Sequence, residues 1–484
     1  MRETNALTPH LYMCIYMLHD VFNTLVIKWH RACALLNLDD IITQHIAIIN
    51  SENPMRLIQS TLSGLLLLSC LNSSFAAKLQ PVDWQQTTQQ NSTIIDTRPS
   101  AFYNGWPTGS PERSGHEPTA LNLSASWLGK MDDSMLKHWL QEHNLTPDSH
   151  IAFYGSKEET DAVAEKLQQA GYKNLALLQD ALQQPDRLIR LTNYQELVYP
   201  AWLRAVQEGK PVHAAPAKKW RVIEVAWGAP KKYLISHIPN AGYIDTNDLE
   251  SEPLWNVVSA EKINETLTKA GVDADTTVIL YGRDMAGVSR VAHVMLYAGV
   301  KDVRLLDGGW QSWDDAGYPV ERGLPANVTP VKEFGVTIPA QPQLMKDMAQ
   351  AKDLLNRQDA SLVSIRTWDE FIGTTSGYKY IKPKGDIPGA RWGHAGSDAF
   401  HLEDYHNPDG TMRSADDITK MLQQWKINKD QDVAFYCGTG WRASEVFMYT
   451  RAMGWPNVSV YDGGWYEWSS HADNPQVQGE RKPQ

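Results

Sequence analysis

The chain has 484 residues, a length that at roughly 150 residues per domain suggests about three domains. It is 42% hydrophobic and 21% charged, which excludes a disordered chain and leaves enough apolar material for real cores. The net charge of −11, without a long basic run, argues against nucleic acid or an anionic membrane surface as partner. No unbroken apolar run reaches about 18 residues, so stable membrane insertion is not expected.

The N-terminus reads as processed. Met55-Arg56 is a short basic start, Leu62–Leu68 an apolar core too short to span a bilayer, and Ser74-Phe75-Ala76 a small-x-small cleavage pattern. These predict a signal peptide over 55–76 and a periplasmic protein. Residues 1–54 then read as an over-extended start, the alternative being a genuine extension. Lipidation of Cys70 in Leu67-Leu68-Ser69-Cys70 ranks below plain secretion. Of the four cysteines, Cys14, Cys33 and Cys70 lie in this leading segment and Cys437 stands alone, a pattern that supports neither a disulfide framework nor a zinc site.

Beyond the leader the chain repeats itself three times. Each copy opens on an apolar strand: Thr93–Arg98, Val222–Ala226 and Leu362–Arg366. Each then reaches a similar turn, at Gly115–Ala120, Ser236–Ala241 and Gly385–Ala390. A second strand ends in Tyr154, Tyr281 or Tyr436, and a loop and a helix with an apolar stripe follow (Val163, Leu167 and Ala170 in one copy, Val291, Val294, Met295 and Ala298 in another). Asp180, Asp307 and Asp462 close the units, each 26 residues after its tyrosine, and two copies share Asp-Gly-Gly-Trp at Asp307–Trp310 and Asp462–Trp465. Strands alternating with helices at this spacing predict α/β architecture: three tandem domains, each a small, mostly parallel sheet flanked by helices. The boundaries fall at 78–190, 193–325 and 340–475, with the Pro/Gly/Val-rich stretch Gly323–Pro342 as a linker.

The order Asp-x-Arg, His/Asp-Ile-Pro turn, strand-Tyr-Cys loop, helix and Asp-Gly-Gly-Trp resembles the rhodanese domain over about 78–470, most strongly in Val433–Ser444. With the signal peptide, the third copy and the Cys437-Gly438-Thr439-Gly440-Trp441-Arg442 loop, it is similar to the three-domain periplasmic thiosulfate sulfurtransferases of that family. The resemblance implies that Cys437 takes the outer sulfur of thiosulfate as a persulfide and passes it to cyanide or to a thiol or protein acceptor. No phosphate loop, dinucleotide fingerprint or metal motif appears, so no cofactor is expected beyond that covalent sulfur, and the cysteine-free copies at 78–190 and 193–325 are expected to be inactive.

The residues themselves support such chemistry. A free thiol with a pKa of about 8.5 is mostly protonated at neutral pH. Cys437 sits between an apolar strand and a helix beginning near Ala443, so helix-terminal amides should face it. Gly438 and Gly440 let the backbone curl around an anion, and Arg442 adds a permanent charge. Thr439 and Trp441 are expected to shape the loop or its mouth. Gly155 and Gly282 stand where Cys437 stands, so the fold does not demand cysteine there. Only four residues separate Cys437 from Arg442, shorter than the five of tyrosine-phosphatase-like loops, which makes phosphatase chemistry the weaker enzyme reading.

Arg366 matches an arginine with which mercaptopyruvate sulfurtransferases of the family bind the keto-acid carboxylate, so it is a candidate substrate contact. Glu370 stands where a second such arginine is sought, which favours thiosulfate over 3-mercaptopyruvate, and Ser364 replaces the usual strand aspartate. A persulfide carrier with little turnover is the non-enzymatic alternative, in which the cysteine-free domains dock the acceptor. His394, His401 and His406 fit no metal template, and no metal is expected. The tryptophans of the two Gly-Gly-Trp motifs are expected in core or interdomain packing.

Overall fold

The structure, a computed structural model, describes residues 79–108, 113–183, 185–324 and 328–483. The signal peptide, residues 1–54 and Cys14, Cys33 and Cys70 lie outside the described residues. From Leu79 onward the chain forms one compact unit.

Three five-stranded sheets stand in this unit. The first holds β1 (Gln80–Val82), β2 (Thr93–Asp96), β3 (Leu121–Asn122), β4 (Ile151–Tyr154) and β5 (Leu175–Leu178) in the spatial order β1-β5-β4-β2-β3. The second holds β6 (Leu197–Val198), β7 (Trp220–Ala226), β8 (Gly242–Asp245), β9 (Thr277–Tyr281) and β10 (Asp302–Leu306); the third β11 (Met345–Lys346), β12 (Ala360–Ser364), β13 (Arg391–Trp392), β14 (Asp432–Tyr436) and β15 (Val458–Tyr461). Both repeat the order of the first: first, fifth, fourth, second, third strand. All pairings within these sheets are parallel. Parallel strands need crossovers and are covered on both faces, which is why β4, β9 and β14 are continuous buried apolar runs rather than alternating ones.

The helix after each fourth strand carries the positioning work: α1 (Lys157–Gln169), α2 (Met285–Ala298) and, in the third domain, α5 (Trp441–Ala452). Between them lie α3 (Gly309–Asp315) and α4 (Trp368–Ile372), and α6 (Gly464–Ser470) follows. Both α2 and α5 are buried nearly all round, as helices lodged between other layers must be. They pack on each other, with the His293 ring edge-on to Phe447 at 4.9 Å. One apolar cluster therefore runs unbroken through the second and third domains, while the first keeps clusters of its own.

The repeated residues have repeated jobs. The strand-end tyrosine hydroxyl pins the preceding turn of its own domain: Tyr154 Oη accepts from Glu117 N (3.1 Å), Tyr281 Oη accepts from Ile238 N (2.9 Å) and Tyr436 Oη donates to Asp386 Oδ1. That turn in each domain pairs with the segment beyond its last helix, His116 with Ile189, His237 with Glu321 and Asp386 with Val477. The third domain thus extends past the expected 475, since Gly479 N also bonds Ile372 O and the Arg481 guanidinium lies over Phe371. The expected linker is docked rather than free: Phe334 is buried, and Val331 N and Gln341 N bond Thr268 O and Tyr297 O of the second domain.

Candidate active site

Cys437 follows β14 directly and is 1% exposed; its Sγ accepts a hydrogen bond from Gly440 N at 3.2 Å. The three domains cap the helix after the fourth strand in different ways. Ser156 and Glu159 form a capping box on α1, and Asp284 Oδ1 accepts from Ala286 N and Gly287 N of α2. At α5 the cap is Gly440, with φ +105° and no side-chain oxygen. The side-chain oxygen that caps first-turn N–H groups in the two cysteine-free domains has no counterpart here, and the N–H of the cap residue itself goes to Cys437 Sγ. The positive end of the helix dipole favours negative charge at that point.

The loop carbonyls are held from the other side. Trp465 N and Tyr466 N at the start of α6 bond Cys437 O (2.8 Å) and Gly438 O (3.0 Å), and Trp310 N makes the equivalent bond to Gly282 O (2.8 Å). This docking accounts for the Asp-Gly-Gly-Trp repeat. Gly464 (φ +56°) and Gly309 (φ +58°) lie so close to those carbonyls that an added Cβ would stand 2.7 Å from Cys437 O and 2.5 Å from Gly282 O. Trp465 is fully buried and Trp310 nearly so, as the packing expectation required. Gly438 is needed for room too, because a Cβ there would overlap the Tyr378 ring.

Arg442 reaches the site but is not free. Its Nη1 and Nη2 donate to the two oxygens of Glu370 at 2.9 and 3.0 Å, and further to Asp398 O and Tyr378 Oη, both at 3.3 Å. Glu370 also takes Thr367 N in a capping box at the start of α4. Burial pushes the Glu370 carboxyl up, but Arg442, then Arg366, outweigh it and hold the carboxyl below the usual range. The residue noted only as a departure from an arginine is the partner of the active-site arginine.

Arg366 does not meet the cleft. It is fully buried, donating to Gly385 O (2.7 Å) and Asp386 Oδ2 (3.2 Å) with its guanidinium 5.1 Å over the Trp465 ring. Arg98 makes the same contacts in the cysteine-free first domain, to Gly115 O and Asp96. An arginine doing the same work in a domain without a cysteine is a brace for the turn, and the expectation of substrate contact is corrected accordingly. Ser364 fits the same scheme: its Oγ donates to Asp386 Oδ2, so the carboxylate comes from the turn instead of the strand.

Above the loop lies a cleft of about 320 Å³ between the second and third domains. Thr439, Trp441 and Arg442 contribute to it from the loop, Tyr378 and Phe400 from the third domain, and Trp227, Glu250 and Asp284 from the second. The second domain grips the loop directly. Trp441 Nε1 donates to Glu250 Oε1 (2.7 Å), and the Trp441 ring packs against Gly287 of α2. Arg290, fully buried on α2, joins Glu250 to Asp462 and lies against Gly440, with its Nη1 unpartnered among the described residues. No local pattern in the sequence marks Glu250, Arg290 or Trp227, because they act on a loop about 150 to 210 residues away that only domain packing brings near. Tyr378 had a faint signal, a glycine in the loop it covers.

The three histidines separate: His394 stacks on Trp392, His401 bonds Asp398 Oδ1 and His406 bonds Glu445 Oε1. Among the described residues no group of three His, Cys, Asp or Glu side chains could hold a metal, and no helix is long and apolar enough to cross a membrane.

A thiol on a glycine-rich loop between a parallel strand and an uncapped helix, repeated in outline by two cysteine-free domains, defines a rhodanese-type site. The family model for the rhodanese-like domain matches residues 81–184, 201–316 and 347–471, and the chain belongs to this family. It is 63% identical over 429 residues to thiosulfate sulfurtransferase YnjE of Escherichia coli strain K12, covering 88% of this chain and 99% of that protein. The crystal structure of YnjE is similar to it with a TM-score of 0.83 and 65% identity, over 85% of this chain and 99% of that one. A variant of EanB in complex with ergothioneine is similar with a TM-score of 0.80 and 36% identity, over 84% of this chain and 100% of that one.

Proposed function

We propose that the protein is a thiosulfate sulfurtransferase acting through a persulfide on Cys437. The Cys437 thiolate attacks the outer sulfur of thiosulfate, the S–S bond of thiosulfate breaks, and sulfite leaves with the electron pair. The persulfide then gives its outer sulfur to a thiophilic acceptor, cyanide or a thiol, and Cys437 leaves as thiolate. The observation that carries this reading is the Gly440 N–H on Cys437 Sγ at a helix start that no side chain caps. Such a site stabilises thiolate and persulfide anion alike without a histidine base.

Thiosulfate is favoured over 3-mercaptopyruvate because both candidate arginines are engaged, Arg366 with Asp386 and Arg442 with Glu370, which leaves no free fork for a keto-acid carboxylate. We further infer export to the periplasm, on the strength of the signal-like segment 55–76. N-terminal sequencing of the exported protein tests it, and retention of residues 1–76 would overturn it.

The activity test is intact-mass spectrometry after incubation with thiosulfate, with sulfite measured under turnover with cyanide. A gain of one sulfur atom on Cys437 with continuous sulfite release is expected. Loading without turnover would favour the carrier reading, and no loading would overturn the mechanism.

A further inference from the structure

We propose that His401 is a specificity-determining residue for the anionic sulfur donor: its imidazolium offsets the carboxylates at the mouth of the Cys437 cleft and so admits the thiosulfate dianion. This deepens the thiosulfate reading and rests on it only for the kinetic part of the test.

A dianion bound for Cys437 has to pass this mouth, and the arginines nearby are already engaged. Arg442 is matched by Glu370, Arg366 is buried on Asp386, and Arg290 is shared by Glu250 and Asp462. Two further carboxylates stand at the rim. Asp284 lines the cleft from the second domain, exposed, with Oδ1 on the first turn of α2. Asp398 belongs to the third-domain loop whose Ala399 and Phe400 line the cleft, and its carbonyl oxygen accepts from Arg442. Left alone, these carboxylates repel an incoming dianion.

His401 is the cation set against them. It follows Phe400 in the same loop, its side chain is 58% exposed, and its Nδ1 bonds Asp398 Oδ1 at 2.7 Å. Nε2 has no hydrogen-bond partner among the described residues, and the ring acts electrostatically on Asp284 across the mouth. The hydrogen bond to Asp398 holds the imidazole above its ordinary range, with the charges of Asp398, Glu403 and Asp284 adding to it and burial opposing. Of the other groups facing the pair, Glu403 is bonded by Ser397, and Glu445, which acts on Asp284 from α5, is bonded by His406. Once the ring loses its proton the mouth turns more negative, while thiosulfate keeps its two charges.

The test uses iodoacetate (anionic) and iodoacetamide (neutral) as alkylating probes of Cys437. Both consume the same thiolate, so the ratio of their rates cancels the thiol pKa and reports the field at the mouth. In the parent protein the iodoacetate-to-iodoacetamide ratio should fall about threefold between about pH 6 and about pH 9 at low salt, and less at high salt. His401→Gln should hold the low ratio at every pH and His401→Arg the high one, and Asp284→Asn should raise it. A flat ratio in the parent, a pH dependence that survives in His401→Gln, or a low ratio in His401→Arg would overturn the proposal. Thiosulfate:cyanide kinetics near neutral pH give the second readout: His401→Gln should raise KM for thiosulfate severalfold and leave kcat nearly unchanged. A fall in kcat with KM unchanged would also overturn it. If thiosulfate is not turned over at all, the thiosulfate reading fails, and the alkylation ratio still decides the role of His401.

Discussion

Arg442 and Glu370 form a two-pronged ion pair in which both partners are buried, and the pair closes the cysteine loop against α4. Breaking such a pair from one side leaves an uncompensated buried charge, which costs about 3–5 kcal/mol. Arg442→Ala is therefore expected to lower both stability and sulfur transfer. Adding Glu370→Gln to it should recover much of the melting temperature without recovering kcat/KM. If activity returns together with stability, Arg442 acts on the fold and not on the sulfur.

Cys437→Ser should abolish persulfide formation and turnover while leaving the melting temperature nearly unchanged, since glycine serves the equivalent position in the other two domains. The check is sulfite release beside a thermal melt. Substantial residual turnover would remove Cys437 as the nucleophile.

Gly464 and Gly309 offer a matched pair. Alanine at either must occupy left-handed backbone and meet a carbonyl at 2.7 or 2.5 Å, so each substitution should cost about 1–3 kcal/mol. Only Gly464→Ala displaces the carbonyls of Cys437 and Gly438, so it alone should alter the rate of Cys437 alkylation. Equal alkylation rates in the two variants would mean that α6 does not set the loop geometry.

Arg290→Met tests whether the second domain holds the loop. It orphans Glu250 and Asp462 and frees Trp441 to shift, so kcat for thiosulfate:cyanide transfer should fall about tenfold or more. Arg290→Lys, which keeps the charge but not the fork, should recover stability better than kcat. Unchanged kcat in a folded Met variant would confine Arg290 to interdomain packing.

His143 of the first domain bonds Asp417 of the third at 3.1 Å. Burial pushes the Asp417 carboxyl up, but His143, with help from Arg413 and Ser414, overcomes it and brings the pKa down to about 2, against an ordinary 3.8. A depressed carboxyl pKa contributes stability above the unfolded value that is lost as pH falls toward the folded one, here between about 4 and 2. Stability should fall through that window by on the order of 2 kcal/mol more in the parent protein than in Asp417→Asn. Acid melts of the two proteins make the comparison, and parallel curves would dismiss the pair.

Much of this protein is readable along the chain because its determinants are local or periodic. Apolar strands at a regular spacing, the three tyrosine-to-aspartate intervals and the glycines flanking Cys437 are enough to predict three α/β repeats and one reactive loop. The same reading treats Arg366 and Arg442 as substrate contacts, because a sequence shows that an arginine is present but not what neutralises it. Asp386 and Glu370 are 20 and 72 residues away from their arginines, and only the folded sheet brings them into hydrogen-bonding range. The cleft depends on tertiary structure still more. Trp227, Glu250, Asp284 and Arg290 belong to a domain that has no cysteine of its own, and they reach the Cys437 loop because α2 and α5 bury their apolar faces against each other. Local pattern sets which residue can carry sulfur. Hydrophobic packing between domains, which acts without regard to sequence distance, sets what surrounds it.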